Sequence, residues 1–217
     1  MRVSIIVTLA IVLISFIIGV IFYPKMPERM ASHWNIRDEV DGYTSRFWGI
    51  FLMPLISLGF LLLFLIIPII DPLKENIKKF LKYFDLFIIF LFIFLLYLYL
   101  LTLFWNLGAR FPMSKMLIPA LSLFFFYCGV LVANAKRNWF IGIRTPWTLS
   151  NEIVWEKTHK IGGKLFKIAG IFALFGLLFP AYAFYFVIIP ILFVAFFTIV
   201  YSYFIYQKLR ETKFKDA

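Results

Sequence analysis

The sequence is poor in charge and in cysteine. Charged residues make up 15% of its 217 positions, whereas a soluble domain of this length would carry about 25%. The single cysteine, Cys128, lies inside an apolar stretch. It cannot form an intramolecular disulfide, and we expect it to pack as a small apolar residue. The chain also lacks a recognisable nucleophile–base pair and a complete metal motif, so we predict no enzyme activity and no cofactor.

The chain instead holds long apolar runs. Hydrophobic residues account for 63% of it, and residues 47–70, 86–109 and 168–207 carry no charge at all. About 20 apolar residues in a helix cross the hydrocarbon core of a bilayer. We therefore predict an all-α, multi-pass membrane protein. Its six predicted spans cover residues 3–23, 49–70, 84–105, 116–134, 164–179 and 182–206. The start of the chain resembles a signal peptide, but no small-residue cleavage site follows, which indicates a retained first helix.

The net charge of +11 marks cytoplasmic loops better than it marks a nucleic-acid partner, so we predict no direct nucleic-acid binding. With both termini inside, 16 of the 22 Lys and Arg residues lie on the cytoplasmic side, as the positive-inside rule requires. The whole chain, 1–217, then forms one membrane domain. Residues 1–70 make a helical hairpin with an extracytoplasmic loop at 24–48. Residues 116–207 make a second segment with a cytoplasmic loop at 135–163.

The first loop is rich in polar and aromatic residues. Asp41-Gly42 indicates a turn, and Trp34 is expected to anchor at the membrane interface. Histidine changes charge near neutral pH, so His33 would suit a sensor of external pH. Neighbouring carboxylates could add metal ligands, but their spacing matches no specific metal motif. We keep His33 and Trp34 as candidate binding residues.

The second loop predicts a short helix of its own at 151–161. Ser150 is a good N-cap, Glu152 suits the first turn, and Gly162-Gly163 indicates a stop. Three further residues recur with Glu152 at helical spacing and are predicted to share its face: Trp155, Glu156 and His159. Such a face could bind a divalent metal, handle protons, bind a polar ligand without metal, or simply anchor the helix. A metal site would need a second helix with matching ligands, and no such stripe is present, so we predict none.

Arg144 stands out within the same loop. Its guanidinium can hold a carboxylate or a phosphate through two hydrogen bonds. Trp139, Trp147 and Trp155 surround it in sequence, which is equally typical of an interfacial aromatic belt. Arg144 is therefore either a ligand clamp or a membrane-surface residue.

The segment RNWFIGIRTPWTLSNEIVWEKTHKIGGKLF at 137–166 resembles the signature of the SdpI-type immunity proteins. The matching residues are Asn138, Gly142, Arg144, Thr145, Pro146, Trp147, Trp155, His159, Gly162 and Gly163. The first loop is similar to the domain of unknown function, DUF1648, found at the N-terminus of such proteins. Its matching marks are Pro27, His33-Trp34-Asn35, Asp41-Gly42 and Pro54. The chain departs from that pattern at Asp38, where glycine is more usual.

The resemblance implies an immunity protein in the bacterial cytoplasmic membrane that protects its producer from a secreted hydrophobic toxin such as the cannibalism peptide SDP. It also implies a receptor role, in which the toxin-bound protein holds an ArsR-type repressor at the membrane. On this view the partners are the peptide, the bilayer and the repressor. Two alternatives stay open: a metal-dependent membrane enzyme using Glu152, Glu156 and His159, and a transporter of small amphiphiles. The transporter would need a charge deep in a span, and Asp85, the nearest candidate, lies at a helix start.

Overall fold

The computed structural model describes residues 2–215, which form α-helices joined by short loops and one β-hairpin. The helices are α1 (Val3–Phe22), α2 (Arg46–Ile70), α3 (Lys74–Lys79), α4 (Leu81–Asn106), α5 (Met113–Asn134), α6 (Pro146–Ser150), α7 (Glu152–Ala173) and α8 (Ala183–Lys215). Strands β1 (Arg29–Trp34) and β2 (Val40–Ser45) lie between α1 and α2. The first loop is therefore partly β, in an otherwise helical chain.

Five helices are long and apolar enough to cross a membrane: α1, α2, α4, α5 and α8. This confirms the predicted class of an all-α, multi-pass membrane protein. The remaining predicted span, 164–179, coincides with the second half of α7 and the 3-10 turn at Leu174–Leu177. α7 carries Glu and Lys residues through its first half, so it is too polar to qualify by composition. The six-span count and the orientation stay predictions.

The predicted short helix at 151–161 is wrong in its C-terminal limit. α7 passes through Gly162-Gly163 without interruption and ends at Ala173. Its N-cap is Asn151 rather than Ser150, since the Asn151 side chain accepts hydrogen bonds from the backbone N–H groups of Ile153 and Val154 at 2.9 and 3.1 Å. The glycines do not stop the helix because both lie in close tertiary contacts, Gly162 against Ile143 and Thr198 and Gly163 against Gly129 and Ala133.

Glycines allow α5 and α7 to pack closely. A Cβ atom at Gly163 would lie 2.8 Å from the carbonyl oxygen of Gly129, and one at Gly129 would lie 2.6 Å from the oxygen of Gly163. A Cβ atom at Gly170 would lie 2.7 Å from the backbone of Phe126. Small residues that bring two backbones together are a common basis of helix association in membranes. The α5–α7 pair is the most extensive helix contact in the described structure, and α8 packs on α7.

The bundle has two distinct ends. The hairpin end carries β1 and β2 together with the start of α5, the end of α4 and the start of α8. The loop end carries residues 135–151, the segment that joins α5 to α7, beside the end of α2 and residue Ser202 of α8. α7 begins at the loop end and approaches Ile118 and Ala183 near the hairpin end, where its following 3-10 turn places Gly176 against them.

The hairpin is fixed to the helices by side chains that replace missing strand partners. The side chain of Asn106 accepts from the N–H of Ala31 at 2.8 Å and donates to its carbonyl at 3.0 Å, as a neighbouring strand would. The predicted turn at Asp41-Gly42 is wrong, because Gly42 pairs with His33 inside the sheet. The reversal lies at residues 35–39 instead.

The structure accounts for Asp38 at a position where the resemblance leads us to expect glycine. Its φ of +61° is the left-handed conformation that glycine adopts most easily. The carboxylate offsets that strain by accepting two hydrogen bonds from Ser114 at the start of α5, at 2.7 Å from the N–H and 2.6 Å from the hydroxyl. A carboxylate at a helix N-terminus is favourable in itself, so Asp38 ties the hairpin to α5.

Alanine substitutions at the glycines test the close packing. We expect Gly163→Ala to destabilise the protein by about 1–3 kcal/mol, the usual effect of overpacking, because its Cβ meets backbone atoms. The control is Gly59→Ala in α2, where no atom lies within 4 Å of the new Cβ and the better helix propensity of alanine is neutral or stabilising. Thermal unfolding in detergent measures both. Equal melting temperatures for the two variants would contradict the packing account.

Candidate functional sites at the two ends of the bundle

Asn138 organises the irregular chain at the loop end. It is fully buried, and its amide N–H groups donate to the carbonyls of Lys136 and Ile141, both at 2.8 Å. Its side-chain oxygen accepts from the N–H groups of Phe140 and Ile141 at 2.9 and 2.6 Å. All the hydrogen-bonding capacity of the amide is thus used within its own loop. An apolar residue here would leave four backbone groups without partners.

Two polar side chains attach this loop to the α2–α3 corner. The carboxylate of Asp71 is 2% exposed and accepts from the backbone N–H of Trp139 at 2.9 Å and of Leu73 at 2.6 Å. Asn76 in α3 donates to the carbonyl of Arg137 at 2.9 Å. Sequence reasoning missed both residues. The sequence signal for Asp71 was a lone carboxylate at the end of an apolar run, directly before Pro72.

Trp155 and His159 are buried against the same loop and stack on each other, with ring centroids 3.8 Å apart. The indole N–H of Trp155 donates to the carbonyl of Ala135 at 2.8 Å. His159 accepts from the N–H of Ile143 through Nε2 at 3.0 Å and bonds the carbonyl of Trp155 through Nδ1 at 2.9 Å. This pairing requires a neutral ring with its proton on Nδ1. Burial lowers the pKa of His159 to about 4, and the bond to the Trp155 carbonyl opposes part of that shift.

Gly142 is required where it lies. Its φ is +113°, and a Cβ atom there would overlap Nε2 of His159 and come within 3.4 Å of Trp155. The glycine of the Gly-x-Arg-Thr-Pro-Trp segment therefore serves the close approach of the loop to the buried ring pair.

The Thr-Pro-Trp-Thr segment connects the loop to α8. Thr145 and Thr148 cap α6 reciprocally, with backbone-to-hydroxyl distances of 2.9 and 3.1 Å. The hydroxyl of Thr145 also lies 3.0 Å from that of Ser202. Trp147 packs edge-on against Tyr203, with centroids 5.2 Å apart. Pro146 opens α6 at the position that proline favours.

Glu152, Trp155, Glu156 and His159 lie on one side of α7, as their spacing predicts, but they do not share one environment. The two carboxylates are exposed to solvent, whereas the two rings point into the protein. Glu156 pairs with Lys136 at 3.5 Å, in line with the structural alternative. Within residues 2–215 no group of three His, Cys, Asp or Glu side chains could hold a metal ion. Since both ring nitrogens of His159 are also engaged, the metal-enzyme alternative has no support in the geometry.

Arg144 is exposed and bonds its own loop. Its Nη1 donates to the carbonyl of Trp139 at 2.8 Å, which closes the turn around Gly142. One such bond leaves other guanidinium donors free to meet an anion at the surface. Trp139 itself is 50% exposed.

The hairpin end holds a cavity of about 320 Å³, here called the hairpin cavity. Its lining residues are His33, Trp34, Asn35, Ile36, Asp38, Met113, Ser114, Leu117, Ile118, Leu121, Ala183, Phe184, Val187 and Ile188. Polar groups come mainly from the β1 side and the start of α5, and apolar groups from α5 and α8. His33 is exposed and bonds Asp41 at 2.5 Å, and Trp34 packs edge-on against Trp105.

Each end of the bundle contains a segment that is similar to a known protein family. The SdpI/YfhL protein family matches residues 134–202, and a domain of unknown function, DUF1648, matches residues 10–58. The immunity protein SdpI of Bacillus subtilis (strain 168) is 27% identical over 209 residues, which cover 96% of this chain and 98% of the relative. The SdpI/YfhL match is thus confined to residues 134–202, whereas the similarity to the immunity protein extends over nearly the whole chain. No solved structure matches it.

The SdpI/YfhL match coincides with the loop end and the helices below it. It begins at the end of α5, includes Asn138 and His159 with the loop residues that they bond, and stops at Ser202, the partner of Thr145. Asp71 and Asn76 lie outside it. The DUF1648 match ends within α2 and contains the whole β-hairpin.

The burial of His159 predicts a pH-dependent stability. Its folded pKa of about 4 lies below the ordinary value of 6.5, so the unfolded chain binds more protons between these values. The free energy of unfolding should be highest above pH 6.5 and fall by up to about 3 kcal/mol as the pH drops toward 4. Replacement by Gln should flatten this dependence. Thermal unfolding of wild type, His159→Gln and the control His33→Gln from pH 7 to pH 4.5 measures it. If stability falls less with pH in His33→Gln than in wild type, His33 rather than His159 causes the dependence.

Proposed function

We propose that this protein confers immunity to a secreted hydrophobic peptide, such as SDP, by binding it from the outer face of the bacterial cytoplasmic membrane. The observation that carries the proposal is the similarity to an immunity protein over 96% of this chain and 98% of the relative. Because the similarity covers nearly all of both chains, it extends to the whole architecture and not to one shared segment. The proposed activity is binding, and no catalytic group takes part.

The hairpin cavity suits such a ligand. By the distribution of Lys and Arg, the hairpin end faces outward, the side from which a secreted peptide arrives. A volume of about 320 Å³ lies at the lower end of the range for ligand pockets, about 300–1,000 Å³. It accommodates a few apolar side chains rather than a whole peptide. His33 at its polar side bonds Asp41 through Nδ1 and can offer Nε2 to a backbone group of the peptide. The side chain of Asn35, in contrast, is already bonded to Arg37 and Glu39.

Filling the cavity should weaken protection. In a sensitive bacterium that expresses the protein, we expect Leu117→Trp and Leu121→Trp to lower the inhibitory concentration of SDP at least about tenfold, since a lost pocket contact of 1.4 kcal/mol is tenfold in affinity. Leu123→Trp is the matched control, because Leu123 lies on the same helix but is 53% exposed on the outer surface of the bundle. Membrane levels of each variant are measured by immunoblot. Full protection by both cavity variants would exclude this site, and equal killing with and without the wild-type protein would exclude immunity to SDP.

A second proposed role is reporting of the bound state to an ArsR-type repressor at the cytoplasmic side. The exposed and basic loop end supports it, because Arg144 keeps free donors beside an ordered backbone. A repressor that recognises this surface would need a complementary acidic face.

Replacement of Arg144 tests the role of the loop. We expect Arg144→Ala to reach the membrane normally, since it loses one exposed hydrogen bond, but to protect less well and to retain less repressor in the membrane fraction. Lys136→Ala, which removes a neighbouring exposed charge, is the control. Wild-type protection and retention by Arg144→Ala would reduce the loop to a support for the helices.

A further inference from the structure

Three lysines of α7 form one basic face. Lys157, Lys160 and Lys164 follow each other at helical spacing and are all exposed. Together with Ile161 and Tyr201 of α8 they line a shallow concavity of about 190 Å³. The face thus spans two helices and has a floor, unlike a plain run of charges along one helix.

These lysines have no carboxylate to neutralise them in the described part of the chain. The carboxylate nearest in sequence, Glu156, is paired with Lys136 instead. Like charges at helical spacing repel one another, so the face is destabilising unless an anion from outside the chain is bound there.

The position of the face along α7 indicates the depth at which it lies. The charge-free stretch 168–207 begins one helical turn after Lys164, about 6 Å further along the axis at 1.5 Å per residue. Lysine stems lie along apolar surface while their ammonium groups reach the headgroup layer. Tyr201 has the amphipathic ring that is typical of this boundary. The face therefore lies where lipid phosphates are.

We propose that the concavity between α7 and α8 binds the phosphate of an anionic glycerophospholipid. The ammonium groups of Lys157, Lys160 and Lys164 contact the phosphate, and Ile161 with the ring of Tyr201 packs against the start of the acyl chains. Basic pockets between membrane helices on the cytoplasmic side bind such headgroups in the same way. The lipid would neutralise a face of α7, the helix that also carries Trp155 and His159.

Titration of phosphatidylglycerol into the full-length protein in neutral detergent tests this, with bound lipid counted by native mass spectrometry. We expect the triple variant Lys157→Gln, Lys160→Gln, Lys164→Gln to bind phosphatidylglycerol at least about tenfold more weakly, while phosphatidylcholine binds neither protein specifically. The matched control changes Lys74, Lys78 and Lys79 of α3 to Gln. Those residues also end near the loop end, and Lys78 and Lys79 already have partners within α3.

The outcomes separate the possible occupants. An equal loss in both triple variants means that net charge alone attracts the lipid, which would overturn the proposal. Competition by inorganic phosphate at equal concentration would show a site for free anion rather than for lipid and would overturn it too. Unchanged lipid binding with lost binding of an acidic cytoplasmic protein would assign the face to a protein partner. Because all three side chains are exposed, circular dichroism should show full helix content in the triple variant. If the triple variant does not fold, the single variant Lys160→Gln replaces it, with an expected affinity for phosphatidylglycerol between that of wild type and a tenfold loss.

Discussion

Satisfying the backbone of an irregular segment is the constraint on which the loop end depends. Residues 135–145 have no helix or sheet to pair their N–H and C=O groups, and buried groups without partners are costly. The sequence meets this demand with side chains: Asn138 serves four of these groups, and Asp71, His159 and Trp155 serve one each. These residues have little freedom to change, because each one replaces a backbone partner.

The same constraint accounts for the close contact of α5 and α7. Trp155 reaches the carbonyl of Ala135 only because α7 lies directly against the end of α5. Gly129, Gly163 and Gly170 permit that approach along the length of both helices. In a bilayer, apolar surface alone gives helices little reason to associate, so backbone proximity and hydrogen bonds carry more of the specificity. The polar cluster and the glycine contact therefore depend on each other.

The sequence alone predicted the membrane class because a long apolar run satisfies its backbone hydrogen bonds inside a bilayer by forming a helix. It also pointed to residues of the loop end, among them Asn138, Gly142 and His159, whose binding role stays a prediction. Periodicity placed Glu152 and His159 on one side of the helix, yet residues on one side can differ in burial, and here only His159 is buried. Gly162-Gly163 indicated a helix stop by local propensity, whereas tertiary packing made the same residues a contact surface. The hairpin and Asp71 depend on partners more than 60 residues away, and no local pattern carries that information.

Helices α5 and α8 join the two ends of the molecule. α8 contributes Val187 and Ile188 to the hairpin cavity and Ser202 to the bond with Thr145 at the loop end. A ligand can shift an equilibrium between two states only if it binds them unequally. A peptide wedged between α5 and α8 meets that condition if the two states differ in the separation of these helices. The Thr145–Ser202 contact would follow such a change closely, since Thr145 is fixed by its capping box and Ser202 by its bond to the carbonyl of Ile199 at 2.7 Å. In the proposed receptor role, the signal would be a movement of α8 relative to the loop, without unfolding of the loop itself.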